Sequence, residues 1–164
     1  DGYPDTLKYV KTKRNVIVTR SFSKAYSLAG LRIGYGVAPE ALIGAMNKVR
    51  EPFNVNSLAQ AAAGAALKDM AFVKRSAASV KSGKEFLYDR LDSLNIEYVP
   101  SATNFILLKI GSDAPGIYGR LLNKGVIVRN MSSWGLKNCL RVTVGTMREN
   151  ERFLKTLRQV IRRV

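Results

Sequence analysis

The sequence predicts a mixed α/β protein: a first part of strands and helices that runs into a long helix, then an α+β lobe with a largely antiparallel sheet. Three observations carry that expectation. Short apolar runs bounded by turn residues occupy the first forty positions. A seven-residue apolar repeat, Val73, Val80, Leu87 and Leu94, marks the middle of the chain. Beyond Asn95 the patterns follow the order strand, strand, helix, strand, strand, helix. At 164 residues the chain is one ordinary domain or two small lobes, and it is long enough to bury a core.

Residues 15–20 read as a short buried strand and 31–38 as a second, with a serine-rich turn between them. Pro39 and Glu40 suit the first turn of a helix, because Pro loses no needed N–H there and Glu favours the positive end. That helix runs to about Arg50, and Pro52 stops it. Ser57 is the expected N-cap of the next helix. From 57 to 94 the pattern demands at least two helices, the second long, with Ala77 and Leu91 completing the apolar stripe. Gly64 and Gly83 read as weak points, at about 1 kcal/mol each relative to Ala. Residues 96–99, 104–110, 126–129 and 140–144 are strand candidates. Residues 115–123 read as a helix closed by Gly125 in the left-handed conformation. Phe153, Leu154, Leu157, Val160, Ile161 and Val164 form the apolar face of a terminal helix.

Composition narrows the function classes. No apolar run approaches the roughly 20 residues that cross a bilayer. The opening Asp1-Gly2-Tyr3-Pro4-Asp5 is polar and lacks a basic leader, so no signal peptide is expected. With no initiator Met, the sequence is expected to begin inside a longer protein. A single cysteine, Cys139, excludes an internal disulfide, suits a reducing cytoplasm and reads as a small buried residue. With no histidine, no zinc site or other metal is expected. The formal charge is +15, split as +7 over residues 1–80 and +8 over 81–164. There is thus no basic tail, and the only local clusters are Lys11-Thr12-Lys13-Arg14 and Arg162-Arg163. Such a balance fits an absent acidic complement or anionic ligands, and it keeps a non-catalytic nucleic-acid-binding domain as an alternative. Aromatics interleaved with basic residues would favour that alternative; here they sit mostly in apolar stripes, so it ranks low.

The informative stretch is Ser21-Phe-Ser-Lys-Ala-Tyr-Ser-Leu-Ala-Gly-Leu-Arg-Ile-Gly-Tyr35. It puts Lys24 at a turn between two strands, with hydroxyls one and three residues before it and Arg32 eight residues after it. Small Ala25, Ala29 and Gly30 let backbone approach closely. Two hydroxyls and a guanidinium suit a phosphate, and an amine beside them can condense with an aldehyde. The bland reading is a solvated lysine in a turn.

This segment closely resembles the cofactor-lysine motif of fold-type I pyridoxal-phosphate (PLP) aminotransferases, class I/II: Ser-x-Ser-Lys followed by Gly-Leu-Arg-x-Gly. The resemblance implies that Lys24 carries PLP and shuttles the proton, and that Ser21, Ser23 and Arg32 bind the cofactor phosphate. Glu51-Pro-Phe-Asn-Val-Asn-Ser-Leu-Ala-Gln, Ser101-Ala-Thr-Asn-Phe, Gly125-Val-Ile-Val-Arg-Asn-Met and Leu140-Arg-Val-Thr-Val-Gly-Thr146 narrow the resemblance to the histidinol-phosphate aminotransferase family. There, an arginine matching Arg141 grips the substrate α-carboxylate, and a second, matching Arg152, helps bind the phosphate ester. Plain structural readings stand beside these. Arg141 could pair with a carboxylate, Arg152 could be solvated on the polar side of its helix, and Trp134, Tyr26 and Tyr35 read as packing residues.

The fold so implied is the end of the PLP-binding large domain (1–80, with the lysine motif and the start of the interdomain helix) plus an α+β C-terminal small domain (81–164). The implied reaction is amino transfer between histidinol phosphate and 2-oxoglutarate in histidine biosynthesis, by a cytoplasmic homodimer that binds neither nucleic acid nor membrane. The aspartate that pairs with the pyridinium nitrogen and the residue stacked on the ring have no match in this sequence, so the chain alone is expected to be inactive. The nearest enzymatic alternatives are a threonine-phosphate decarboxylase or an aminotransferase for another amino acid.

Overall fold

A computed structural model describes residues 4–12 and 15–161. Lys13, Arg14, Arg162, Arg163 and Val164, named above in the basic clusters and the terminal apolar face, lie outside the described residues. The chain divides into two compact units, 1–75 and 76–164.

In the first unit a short helix α1 (Leu7–Thr12) precedes strands β1 (Val18–Ser21) and β2 (Gly34–Val37), which pair antiparallel with Val18 opposite Val37 and Ser21 opposite Gly34. The first strand begins later than expected and is only partly buried. Past Val37 the partner continues as Ala38-Pro39, and Pro has no N–H for the ladder. The second strand also starts late, because Ala29–Leu31 form a 3-10 turn and Arg32 is left-handed at φ +53°. Helices α2 (Glu40–Val49) and α3 (Ser57–Ala66) follow. The cap of α3 is Asn56 rather than Ser57. Its extended backbone lets the side-chain oxygen accept from the Ala59 N–H at 2.8 Å, and Ser57 becomes the first helical residue.

Helix α4 (Met70–Asp92) spans 23 residues. Its stripe is buried only at the C-terminal end: Leu87 and Leu91 are in the core, Val73, Val80 and Leu94 are half-buried, and Ala77 is exposed. The second unit then folds as β3 (Glu97–Val99), β4 (Phe105–Lys109), α5 (Ala114–Asn123), β5 (Arg129–Asn130), β6 (Cys139–Thr143) and α6 (Met147–Ile161). The four strands form one antiparallel sheet in the order β3-β4-β6-β5. Alternate residues Ile106, Leu108, Leu140 and Val142 face Leu87, Leu91, Ile117, Leu121, Phe153, Leu157 and Val160 from the three helices. Each such apolar side chain contributes about 1.5–3 kcal/mol on burial.

Strand β5 is shorter than the expected 126–129. Helix α5 closes with paired bonds, from the Val126 N–H to Leu121 O at 2.9 Å and from the Gly125 N–H to Leu122 O at 2.9 Å. Gly125 sits at φ +70°, and ladder pairing starts only at Arg129. Helix α6 starts six residues before its expected apolar face, with a reciprocal cap. The Thr146 N–H and hydroxyl both donate to Glu149 Oε2 (2.7 and 2.8 Å), and the Glu149 N–H donates back to Thr146 Oγ1 at 3.4 Å. Buried Asn150 closes the same turn, accepting from the Gly145 N–H at 2.9 Å and donating to Gly145 O at 3.1 Å.

Gly83 is a point of close approach rather than a weak point. A Cβ there would lie 2.6 Å from Val144 Cγ1 and 3.1 Å from Asn150 Nδ2, whereas a Cβ at Gly64 meets nothing within 4 Å. Gly64→Ala is therefore expected to stabilise by about 0.5–1 kcal/mol, and Gly83→Ala to destabilise by about 1–3 kcal/mol through overpacking. Urea midpoints of the two variants should move in opposite directions. A Gly83→Ala midpoint at or above that of the parent sequence would contradict the close approach.

The Glu149 carboxyl is held below its usual range by the Thr146 backbone N–H first and the Thr146 hydroxyl second. A depressed carboxyl stabilises the fold at pH values above its unfolded pKa, and that contribution is lost as pH falls through the lower folded value. Glu149→Gln should melt below the parent sequence at neutral pH, with the gap closing under acid. A gap constant from pH 7 to 3 would remove the carboxylate from this role.

Candidate functional site

The turn between β1 and β2 gathers four polar groups. Phe22 is 3% exposed and packs its ring against Tyr26 and Tyr35, with centroids at 4.9 and 5.7 Å. Ser21 ends β1 and Ser23 lies in the bend that follows, so the two hydroxyls flank the buried Phe22. The Ser23 N–H donates to Ser21 Oγ at 3.0 Å. The loop is closed from both ends onto Phe22: its carbonyl accepts from the Leu28 N–H at 3.0 Å, and its N–H donates to Ile33 O at 3.2 Å. Within it, the Ser27 N–H donates to Lys24 O at 2.8 Å. Lys24 lies exposed at the turn, and no described carboxylate forms an ion pair with it.

Arg32 is exposed and left-handed, and its Nη1 donates to Ala29 O at 2.8 Å, which folds its guanidinium back over the loop. Gly34 beside it is required by contact, since a Cβ there would stand 2.8 Å from Arg20 O. Two hydroxyls, a guanidinium and an amine on one exposed turn are a donor set that fits an aldehyde-bearing phosphate.

The second unit carries the other two arginines in different surroundings. Arg141 lies between buried Leu140 and Val142 on β6, so it faces away from the helices, on the side shared with Phe105 and Leu107. Its guanidinium sits over the Phe105 ring at 4.9 Å, and its Nε is buried without a hydrogen-bond partner. Directly opposite it on β5 stands Arg129. Like charges across a strand pair repel unless an anion lies between them. Reading the motif alone missed Arg129; the signal was its two-strand register with Arg141, which no spacing reveals.

Arg152 projects from α6 to the end of α5, where its Nη2 reaches Lys124 O at 3.4 Å and Gly125 O at 3.3 Å. It lines a cavity of about 450 Å³ with Gly125, Val128, Thr143, Glu149 and Asn150. These contacts satisfy the last carbonyls of α5, a capping role for a cation at a helix C-terminus. Trp134, expected to pack, is instead 66% exposed on the 3-10 turn Ser132–Trp134, while Cys139 is buried and free. Among the described residues no group of acidic, His or Cys side chains could hold a metal ion, and no helix is long and apolar enough to cross a membrane.

Comparison with known proteins follows the same lines. Histidinol-phosphate aminotransferase of Moorella thermoacetica is 51% identical over 162 residues, covering 98% of this chain and 42% of the relative. The chain thus spans less than half the length of that protein. The crystal structure of histidinol-phosphate aminotransferase from Sinorhizobium meliloti in complex with pyridoxal-5'-phosphate superposes with a TM-score of 0.84 at 33% identity, over 92% of this chain and 42% of that one. L-threonine-O-3-phosphate decarboxylase from Porphyromonas gingivalis gives 0.79 at 28% identity, over 95% of this chain and 50% of that one. The mixed architecture is that of part of the fold-type I aminotransferase fold. The family description "Aminotransferase class I and II" matches residues 2–157, and with that match, the fold and the lysine turn together, the chain belongs to the class I and II aminotransferases.

Proposed function

We propose that this chain is the cofactor-lysine and small-domain portion of a PLP-dependent histidinol-phosphate aminotransferase. The observation that carries the reading is that Ser21, Ser23, Lys24 and Arg32 all belong to one turn tied down by Phe22. The 51% identity to a histidinol-phosphate aminotransferase favours that substrate, and of the two superposed crystal structures the histidinol-phosphate aminotransferase, at 33%, is more similar in sequence than the threonine-phosphate decarboxylase, at 28%. The reaction is reversible amino transfer between histidinol phosphate and 2-oxoglutarate, giving imidazole-acetol phosphate and glutamate.

Bound PLP supplies an aldehyde that condenses with amines and a ring that takes up the electron pair of the substrate Cα–H bond. In this chain Lys24 would hold the cofactor through its amine and would serve as the acid and base that moves the proton at the substrate carbon. Ser21, Ser23 and Arg32 bind the cofactor phosphate by charge-assisted hydrogen bonds and so fix its distance from Lys24. Arg141 takes the α-carboxylate of glutamate.

For the substrate phosphate the family resemblance implies Arg152. The β5–β6 register favours Arg129, because it stands beside Arg141 while Arg152 already serves the end of α5. A cytoplasmic homodimer belongs to the same reading. The free thiol of Cys139 supports the reducing compartment, and the large exposed side chains Val49, Phe53 and Leu58 support a covering protein surface.

Two outcomes are expected in the full polypeptide that contains this chain. Borohydride reduction with PLP, followed by peptide mapping, should label Lys24, and Lys24→Ala should abolish both the label and the activity. A principal label on another lysine would overturn the assignment. Arg141→Ala should weaken glutamate by roughly 10- to 150-fold, the worth of a charge-assisted contact. Arg129→Ala and Arg152→Ala, compared on histidinol phosphate and glutamate, decide the phosphate ligand. The true one loses the phosphate substrate selectively, and the capping arginine lowers the melting temperature and treats both substrates alike.

A further inference from the structure

We propose that Phe105 is a positioning residue for Arg141: its ring stands in the place of the usual orienting carboxylate and holds the guanidinium without neutralising it, so the charge remains available to an anionic substrate. This rests on the reading of Arg141 as the carboxylate ligand and adds how that arginine is aimed. An arginine on a sheet is usually oriented by an acidic neighbour, which also neutralises it. Among the described residues Arg141 has no such ion pair, and its Nε is buried without a partner. What it does have is the Phe105 ring at 4.9 Å. A ring face attracts the cation without carrying a countercharge, and it leaves the guanidinium edge free for two parallel hydrogen bonds.

Phe105 is itself held from the helical layer through a chain of hydrogen bonds. Its N–H donates to Thr103 Oγ1 at 3.3 Å, and that hydroxyl also reaches Phe105 O at 3.3 Å. Ser101 Oγ accepts from the Thr103 N–H at 3.0 Å and pairs with its hydroxyl at 2.8 Å. The Ser101 N–H donates to the Tyr88 hydroxyl at 2.9 Å, and Lys84 Nζ donates to Ser101 O at 2.6 Å. Tyr88 is fixed by stacking on Tyr98, with centroids 4.5 Å apart and planes within 7°. From α4 outward each step is a specific contact, and the last one is the arginine. The residues of the segment 101–105 thus have a use beyond turning the chain: they set where the ring stands.

The test uses the full PLP-loaded polypeptide and compares Phe105→Leu, Phe105→Tyr, Arg141→Ala and the double variant Phe105→Leu/Arg141→Ala. Phe105→Leu should raise KM for glutamate roughly 3- to 30-fold, the range of a cation–ring contact, with kcat changing much less and the cofactor absorbance unaltered. Phe105→Tyr, which keeps the ring, should restore KM to within about 2-fold. The double variant should be no worse for glutamate than Arg141→Ala alone, because the two residues act as one unit. A merely structural Phe105 would instead lower the melting temperature and add its loss to that of Arg141→Ala. If Arg141→Ala raises KM for glutamate and Phe105→Leu does not, or if the two losses add, the positioning role is overturned while the carboxylate reading stands. If Arg141→Ala leaves glutamate unaffected, the carboxylate reading itself fails and the positioning role goes with it.

Discussion

Leu140 and Val142 are 0% and 6% exposed, and Arg141 between them has no choice of side. Phe22, only 3% exposed between Ser21 and Ser23, anchors the lysine turn by burial as well, although there the chain bends rather than extends. In both units chemistry-bearing residues sit one position from a buried apolar neighbour, and on β6 the alternation of extended chain fixes the side on which Arg141 stands. A slip of one residue in β6 would turn Arg141 into the core and bring the leucine and valine out, at a cost in both directions. Burial therefore fixes the candidate site more firmly than the polar contacts do, since those are few and mostly exposed.

The ends of the elements are closed with equal economy. Asn56 caps α3, Gly125 and Val126 close α5 by paired backbone bonds, and Thr146, Glu149 and Asn150 hold the turn into α6. Strand β6 passes into α6 with only three intervening residues, 144–146, and two of their N–H groups are met by side chains of the helix that follows. Arg152 adds the end of α5 to the same junction. The second unit is thus tied at its turns by groups within a few residues of each other, with its apolar core supplying the remainder.

Much of this was legible in the amino-acid sequence, and the failures have identifiable causes. The element order of the second unit and its antiparallel sheet follow from period-two and period-3.6 patterns that are strong there. The lysine turn is legible as a motif. Strand ends were misplaced wherever pairing rather than propensity decides: β1 stops where its partner reaches Pro39, and β5 waits until α5 has closed. Ser57 and Asn56 are both good caps, and only backbone conformation distinguishes them. Trp134 was expected to pack, yet a three-residue turn with left-handed Gly135 leaves it exposed. Phe105 and Arg129 were invisible as site neighbours because their relation to Arg141 runs across strands.

Gly83 shows how distance in sequence misleads about independence. Read along the helix it is a defect; across the fold it is clearance for Val144 and Asn150. A larger residue at 83 needs a smaller one at 144, or a different clamp at 150, before it is tolerated. The three positions therefore form an epistatic set, in which the effect of a substitution changes sign with the identity of the other two. Homologues that depart from glycine here should depart at 144 or 150 as well, and a library that varies position 83 alone would record it as intolerant.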